Sequence, residues 1–545
     1  MTRRPGRERE PDPAGGEPLP PAWGWKRPHG GRAAYVDPGA EYAATTVQAC
    51  GLYPFVSGTG SPMAGTPVGR NQLDGSVVCL DPLAWMRAGL TTNPGVFVLG
   101  QPGVGKSTLV KRLATGAVAR GDTPIVLGDP RPDYVTLTEY LGGQVIRVGR
   151  GMDRINPLDS GPLGTILRQL PAAEQARVRS EVRARRLTLL TALCTLVRAA
   201  PLANHEEVIL GAAIDHLDAR LPLPPVIPDV LRVIDEGPDA LRAAARADTP
   251  ERYRQLAAPL AYTLDLLLTG TLAGSFDQRT TKPLDLDAPM VDIDISRTGA
   301  AGDKLLTASM LCTWAYGFAV ADAAGLLAEH GMPARRSYLA IMDELWRALR
   351  GAPGLVEAAD TITRLNRAMG FASVMITHSL ADLDALATEE DRAKARGFAE
   401  RSAITVLAAL PPRELEKVSQ IVPLTGPEKD LVASWAAPDS WQPGSRHPGR
   451  GRYLLKTGGR LGIPLEMALV PAETSLYDTD MAMRSHAQPQ PAAPPEKGAP
   501  PMPQAASRVR HVPAAPGFDP EATAEMPVLR VPPPPGPAGA REAAS

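Results

Sequence analysis

The sequence predicts an α/β fold built on a mostly parallel sheet, and three observations carry that prediction. Short apolar runs that read as buried strands recur from Val96 onward, helical patterns fill many of the intervals between them, and a glycine-rich loop joins the first run to a helix. The runs are Val96-Phe97-Val98-Leu99, Pro124-Ile125-Val126-Leu127, Val145-Ile146-Arg147-Val148, Val291-Asp292-Ile293-Asp294-Ile295, Tyr338 to Met342, Ala372 to Ile376 and Ile404-Thr405-Val406-Leu407. Strands separated by helices pair in parallel, because a chain must cross back over the sheet before it can run in the same direction again.

Taken in order, residues 1 to 40 are rich in Pro, Gly and charge, show no periodicity and read as a disordered leader. Their Arg-rich start has no apolar stretch behind it, so they do not read as a secretory signal. Residues 41 to 90 read as a small β-rich opening segment, on the signals GTPVGR (65 to 70) and the alternating Gly75-Ser76-Val77-Val78-Cys79-Leu80. The α/β core begins over 91 to 160. From about Gly161 to Gly274 the pattern is almost purely helical, with turn signals such as Leu221-Pro222-Leu223-Pro224-Pro225, which predicts an inserted all-α module over 161 to 275. The core resumes over 276 to 475. Within it, Leu305 to Ala321 carries no charge over seventeen residues. That run is shorter than the roughly 20 apolar residues of a membrane span and reads as a buried helix. Thr425-Gly426-Pro427-Glu428 reads as a capping box opening a helix. The tail, 485 to 545, is about one-quarter proline and includes Pro532-Pro533-Pro534-Pro535, so it reads as extended and unfolded.

Composition bounds the partners. With 58 basic and 59 acidic residues among 545, the formal net charge is −1, so no global field draws nucleic acid or an acidic membrane and any such partner needs a local patch. Cys50, Cys79, Cys194 and Cys312 are scattered without metal spacing and suit a reducing compartment. The excess of Arg over Lys and the abundance of Ala, Pro and Gly point to a GC-rich genome such as an actinobacterium's.

The loop is Gly100-Gln101-Pro102-Gly103-Val104-Gly105-Lys106-Ser107-Thr108, whose first eight residues fit G-x-x-x-x-G-K-[ST]. With a strand in front and Leu109 to Ala114 helical behind, the pattern has the setting in which backbone N–H groups cradle phosphate oxygens at a helix N-terminus. Lys106 is expected to reach the β- and γ-phosphates of ATP, and Ser107 to ligate Mg²⁺. The plain alternative is a glycine-rich turn without ligand.

A nucleotide site also needs an acid at the end of a buried strand. Tyr338-Leu339-Ala340-Ile341-Met342 runs directly into Asp343-Glu344, at the strand edge where a parallel sheet meets its ligand. Asp343 is the expected metal-side carboxylate and Glu344 the expected base on the attacking water.

These residues resemble the conjugative type IV secretion ATPases of the VirB/TraC kind, within the HerA–FtsK superfamily of hexameric motors. The matches run in family order over about 60 to 470: GTPVGR and Asp81-Pro82, then AGLTTNPGVFVLGQPGVGKST (88 to 108), GDPRPDY (128 to 134), LGGQVIRVG (141 to 149), INPLD (155 to 159) and MDELWRAL (342 to 349). RLNRAMG (364 to 370) followed by ASVMITHS (372 to 379) is similar to the family's arginine motif and sensor strand. The resemblance implies a RecA-like P-loop NTPase core that binds ATP and Mg²⁺. It also implies a ring, expected to be a hexamer, held at the cytoplasmic face of the membrane by the membrane proteins of a secretion channel, with DNA or a relaxase complex as a further partner. Against the resemblance, the large N-terminal domain of long family members looks shortened in this sequence.

Two positions depart from the family. Its adjacent basic residues are replaced by Arg364 and Arg367, three apart; either is implied as the arginine completing a neighbour's site, with Arg367 preferred by its distance from Gly370. Its Thr-Gln sensor is replaced by Thr377-His378, and an imidazole serves either as a bridge to the γ-phosphate or as a purely structural group. The segment bearing Arg177, Arg179, Arg183, Arg185 and Arg186 admits a nucleic-acid or partner contact, but a solvated helical face is favoured, since no aromatic residues interleave it. A DNA-pumping motor of the same superfamily and a non-hydrolysing scaffold are the competing functional readings.

Overall fold

The computed structural model describes residues 61–159, 161, 170–270, 272–299, 302–329, 336–351, 355–357, 359, 371–436 and 447–477. The expected leader and tail, Cys50, Arg364 and Arg367 lie outside the described residues. Eleven strands are present among those described: β1 (Thr66–Asn71), β2 (Val77–Leu80), β3 (Gly95–Leu99), β4 (Thr123–Asp129), β5 (Gln144–Arg147), β6 (Val291–Asp294), β7 (Tyr338–Met342), β8 (Phe371–Thr377), β9 (Ile404–Leu407), β10 (Arg452–Lys456) and β11 (Ile463–Glu466). They form one sheet in the order β2-β1-β11-β10-β9-β3-β8-β7-β4-β6-β5.

From β9 to β5 all neighbours are parallel. The apolar runs explain this: every residue of β3, β4, β6 and β7 is buried, as strands covered on both faces must be. β3 lies between β8 and β9, with Val96 opposite both Val374 and Ile404, so the loop that follows β3 leaves from the middle of the sheet. On the other flank β10, β11, β1 and β2 continue the same sheet in antiparallel fashion. The opening hairpin β1–β2 is therefore joined to the last strands of the fold, Arg70 standing opposite Glu466.

An all-helical region lies between β5 and β6, with helices Ala172–Arg198, Asn204–Asp218, Ile227–Glu236, Asp239–Ala244 and Pro250–Thr269. It shares one apolar core with the sheet, since Leu189, Leu193, Ile209 and Leu260 belong to the same packed cluster as Val96, Phe97 and Ile341. The uncharged run 305 to 321 falls in the helix Asp303–Glu329, which buries Met310, Trp314 and Phe318. Among the described residues no helix is long and apolar enough to cross a membrane. The Thr425 capping box is present, with Glu428 accepting the Thr425 N–H at 2.8 Å and Thr425 Oγ1 accepting the Glu428 N–H at 3.4 Å.

Candidate nucleotide site

The loop after β3 turns twice through the left-handed region, at Gly103 (φ 80°) and Gly105 (φ 102°), which side-chain-bearing residues rarely adopt. A Cβ on Gly105 would also lie 2.8 Å from the Tyr453 hydroxyl. That hydroxyl donates to the Gly105 carbonyl at 2.7 Å, and the Gly451 N–H donates to Val104 O at 3.1 Å, so β10 braces the loop from the antiparallel side. The helix Lys106–Ala119 starts at Gly105 with no side-chain cap. Its N-cap glycine thus offers no side chain to the first N–H groups, which suits an anion-binding helix end.

Lys106 is buried, and its Nζ donates to Gly100 O at 2.6 Å, to Gln101 O at 3.0 Å and to His378 Nδ1 at 3.0 Å. Burial lowers the ammonium to about 8, against the opposing pull of Asp343 and Glu344. Asp343, just past β7, accepts from Ser107 Oγ at 3.2 Å and from the Tyr134 hydroxyl at 3.2 Å on Oδ2, and from the Glu344 N–H at 2.9 Å on Oδ1. Burial, then the neighbouring Glu344 carboxylate, pushes its pKa up.

Glu344 has a left-handed backbone (φ 55°, ψ 38°), an uncommon conformation for a side-chain-bearing residue. Trp346 Nε1 donates to Oε2 at 2.6 Å and His378 Nε2 to Oε1 at 3.1 Å; Arg131 lies 3.5 Å from Oε1. Burial pushes this carboxyl up, but the hydrogen bonds from His378 and Trp346 and the nearby Arg131 outweigh it and hold the group below the usual carboxylate range. His378 thus joins Lys106 to Glu344. A ring protonated on Nε2 satisfies both contacts, donating to the carboxylate and accepting from the ammonium.

The third wall is the turn after β4. Asp129 accepts the N–H of Arg131 at 3.1 Å and that of Tyr134 at 2.9 Å. Burial raises Asp129 to about 7 and Asp133 to about 6. The cleft is lined by Pro102, Gly103, Gly105, Lys106, Ser107 and Thr108 from the loop, Asp129, Pro130, Arg131 and Asp133 from the turn, Asp343, Glu344 and His378 from the strand ends, and Arg450 and Tyr477.

Of the residues expected from sequence, the structure brings Lys106, Ser107, Asp343, Glu344 and His378 together; Arg364 and Arg367 lie outside the described residues. Sequence reasoning gave no role to Arg131, Tyr134 or Trp346. The signals for them were present in GDPRPDY, where prolines flank the arginine, and in the tryptophan two places after Glu344. The Arg-rich segment is far from idle: Arg177 pairs with Glu174 and Glu181, Arg179 with Gln175, Arg183 with Asp215, Arg185 with Asp322, and Arg186 with Asp218 and the Leu158 carbonyl.

The fold is an α/β core on a mostly parallel sheet, with a glycine-rich loop joining β3 to the helix Lys106–Ala119. Comparison of the sequence with protein families and with curated proteins finds no match. Among solved structures, the chain is similar to VirB4 of Thermoanaerobacter pseudethanolicus, at TM-score 0.57 and 19% identity, over 76% of this chain and 100% of that one. This likeness establishes the fold. The plasmid coupling protein TrwB in complex with ADP and Mg²⁺ also aligns, at TM-score 0.41 and 14% identity over 69% of this chain and 85% of that one.

Proposed function

We propose that this chain is an ATPase that energises a type IV secretion or conjugal transfer apparatus by hydrolysing ATP in a ring, hexameric by resemblance. The observation that carries the hydrolytic part is the convergence of Lys106, Ser107, Asp343 and Glu344, from β3's loop and β7's end, in one cleft beside an uncapped helix. The donor set fits the ligands. Lys106 and the loop N–H groups suit a polyphosphate, and Ser107 with Asp343, already 3.2 Å apart, would hold Mg²⁺. An Mg²⁺ ion held there would supply neutralisation of phosphate charge. Glu344, kept ionised by its partners, accepts the proton of the attacking water, and His378 carries the state of the site between Glu344 and Lys106.

The domain division into a core over 91–160 and 276–475 around the module at 161–275 belongs to the same reading, as does a position at the inner face of the membrane beside channel proteins. The resemblance in motif order and the VirB4-like fold support the secretion role. The DNA-pumping alternative gains nothing from the Arg-rich helix, whose guanidinium groups are engaged within the chain.

Turnover by the purified chain, measured against its own concentration, tests the ring. Activity is expected to rise steeply as subunits assemble, and mixtures of Arg367→Ala with Lys106→Ala subunits to regain part of it, because each supplies what the other lacks. Mixed oligomers that regain nothing with either Arg364 or Arg367 variants would remove the trans arginine. Conjugal transfer from a host whose own copy is replaced by Glu344→Gln is expected to stop; unimpaired transfer would remove the secretion role.

A further inference from the structure

Arg131 is a guanidinium in the nucleotide cleft that neither the phosphate loop nor the acidic strand end supplies. It stands between Pro130 and Pro132, and each proline bars the residue before it from helical geometry. Asp129 holds the turn from inside by accepting the N–H groups of Arg131 and Tyr134. The backbone is therefore fixed, while the side chain is 59% exposed and its tip lies 3.5 Å from Glu344 Oε1.

That contact is the loosest on Glu344, whose two carboxylate oxygens are already engaged at 2.6 Å by Trp346 and 3.1 Å by His378. Placing the base does not require Arg131. What the position does offer is an always charged fork on a fixed backbone, lining the same cleft as Lys106, Asp343 and His378. A guanidinium fork matches two phosphate oxygens, whereas the Lys106 ammonium acts as a point charge.

Resting on the nucleotide reading above, we propose that Arg131 is a cis-acting clamp for the γ-phosphate of ATP, supplied by the same chain as Lys106. In the nucleotide-free chain it is tethered to Glu344; with ATP it exchanges that carboxylate for the terminal phosphate. ADP has no such group to offer, so Arg131 makes the site distinguish the two nucleotides.

Isothermal titration of the full chain with the Mg²⁺ complexes of ADP and of a non-hydrolysable ATP analogue tests this. Arg131→Ala is expected to weaken the analogue about 10- to 100-fold, the span of one charge-assisted hydrogen bond, while ADP stays within about twofold. Arg131→Lys keeps the charge without the fork and is expected to fall between. Equal losses for both nucleotides, or no loss for the analogue, in Arg131→Ala would overturn the clamp. A parental chain that binds neither nucleotide would overturn the nucleotide reading itself and the clamp with it.

Discussion

The nucleotide cleft and the Arg-rich helix Ala172–Arg198 are both dense in charge, and they dispose of it in opposite ways. On the helix, each arginine of the 177 to 186 run meets an acid, an amide or a carbonyl of its own or a neighbouring helix. In the cleft the acids Asp129, Asp133, Asp343 and Glu344 crowd against Lys106 and Arg131, and burial moves several of them far from their ordinary pKa. Neutralised charge glues helices together. Charge left strained, beside an uncapped helix end, is what a charged ligand rearranges.

The largest effects should come from breaking the cleft's two poles. Lys106→Ala is expected to abolish productive ATP binding, whereas Glu344→Gln should keep ATP and lose about 10²- to 10⁴-fold in turnover, the contribution of a positioned general base. Equilibrium binding and steady-state hydrolysis, measured on both variants, separate the defects. Parental turnover by Glu344→Gln would show that the base lies elsewhere.

The bridge between the poles comes next. His378→Ala removes the only described side chain that touches both Lys106 and Glu344. ATP binding should stay near parental and kcat should fall about tenfold, the effect of a lost charge-assisted hydrogen bond on a positioned base. His378→Gln, which can donate to Glu344 and accept from Lys106, should restore most of the rate. Parental kcat in His378→Ala would return the histidine to a structural role, with Thr377, whose buried hydroxyl makes no hydrogen bond among the described residues, the next sensor to test.

How far these contrasts were legible in the sequence depends on the range of the contact. Lys106, Ser107, Asp343 and Glu344 were readable because each closes an apolar run or a glycine pattern, and local spacing alone assigns it. Asp343 and Tyr134 meet across 209 residues, and only the adjacency of β4 and β7 makes them neighbours. The same holds for Arg131 and Glu344. The pairing of β1 with β11 was equally hidden, since short antiparallel strands carry no register signal between distant segments. The arginine helix showed its charge in the sequence but not its partners, because Asp215, Asp218 and Asp322 arrive from other helices.

A smaller effect is thermodynamic. Asp129 and Asp133 titrate in the folded chain at about 7 and about 6, raised chiefly by burial, against an unfolded value of about 3.9. Between these limits the folded chain binds more protons than the unfolded one, so the stability these groups contribute is full below about pH 4 and lost as pH rises through about 6 to 7. The melting temperature of the nucleotide-free chain should therefore fall between pH 5 and pH 8, and fall less steeply in Asp133→Asn. A slope identical in that variant would mean the cleft carries no such strain.

The smallest effect sharpens the comparison from the other side. Arg183 and Asp215 form a pair between two helices, with the side chains 42% and 53% exposed. Water screens such a pair, so Arg183→Ala should cost at most about 1 kcal/mol in denaturant unfolding. If the helix is structural, the variant should hydrolyse ATP at the parental rate, and any binding of the chain to DNA should keep its dependence on salt. A nucleic-acid face behaves differently: each phosphate contact removed lowers the slope of log affinity against log salt by about one unit. Loss of that unit in Arg183→Ala, at unchanged stability, would mean that an arginine paired in the isolated chain exchanges its aspartate for a phosphate. The helix would then share the cleft's logic, and the contrast drawn between the two regions would fail.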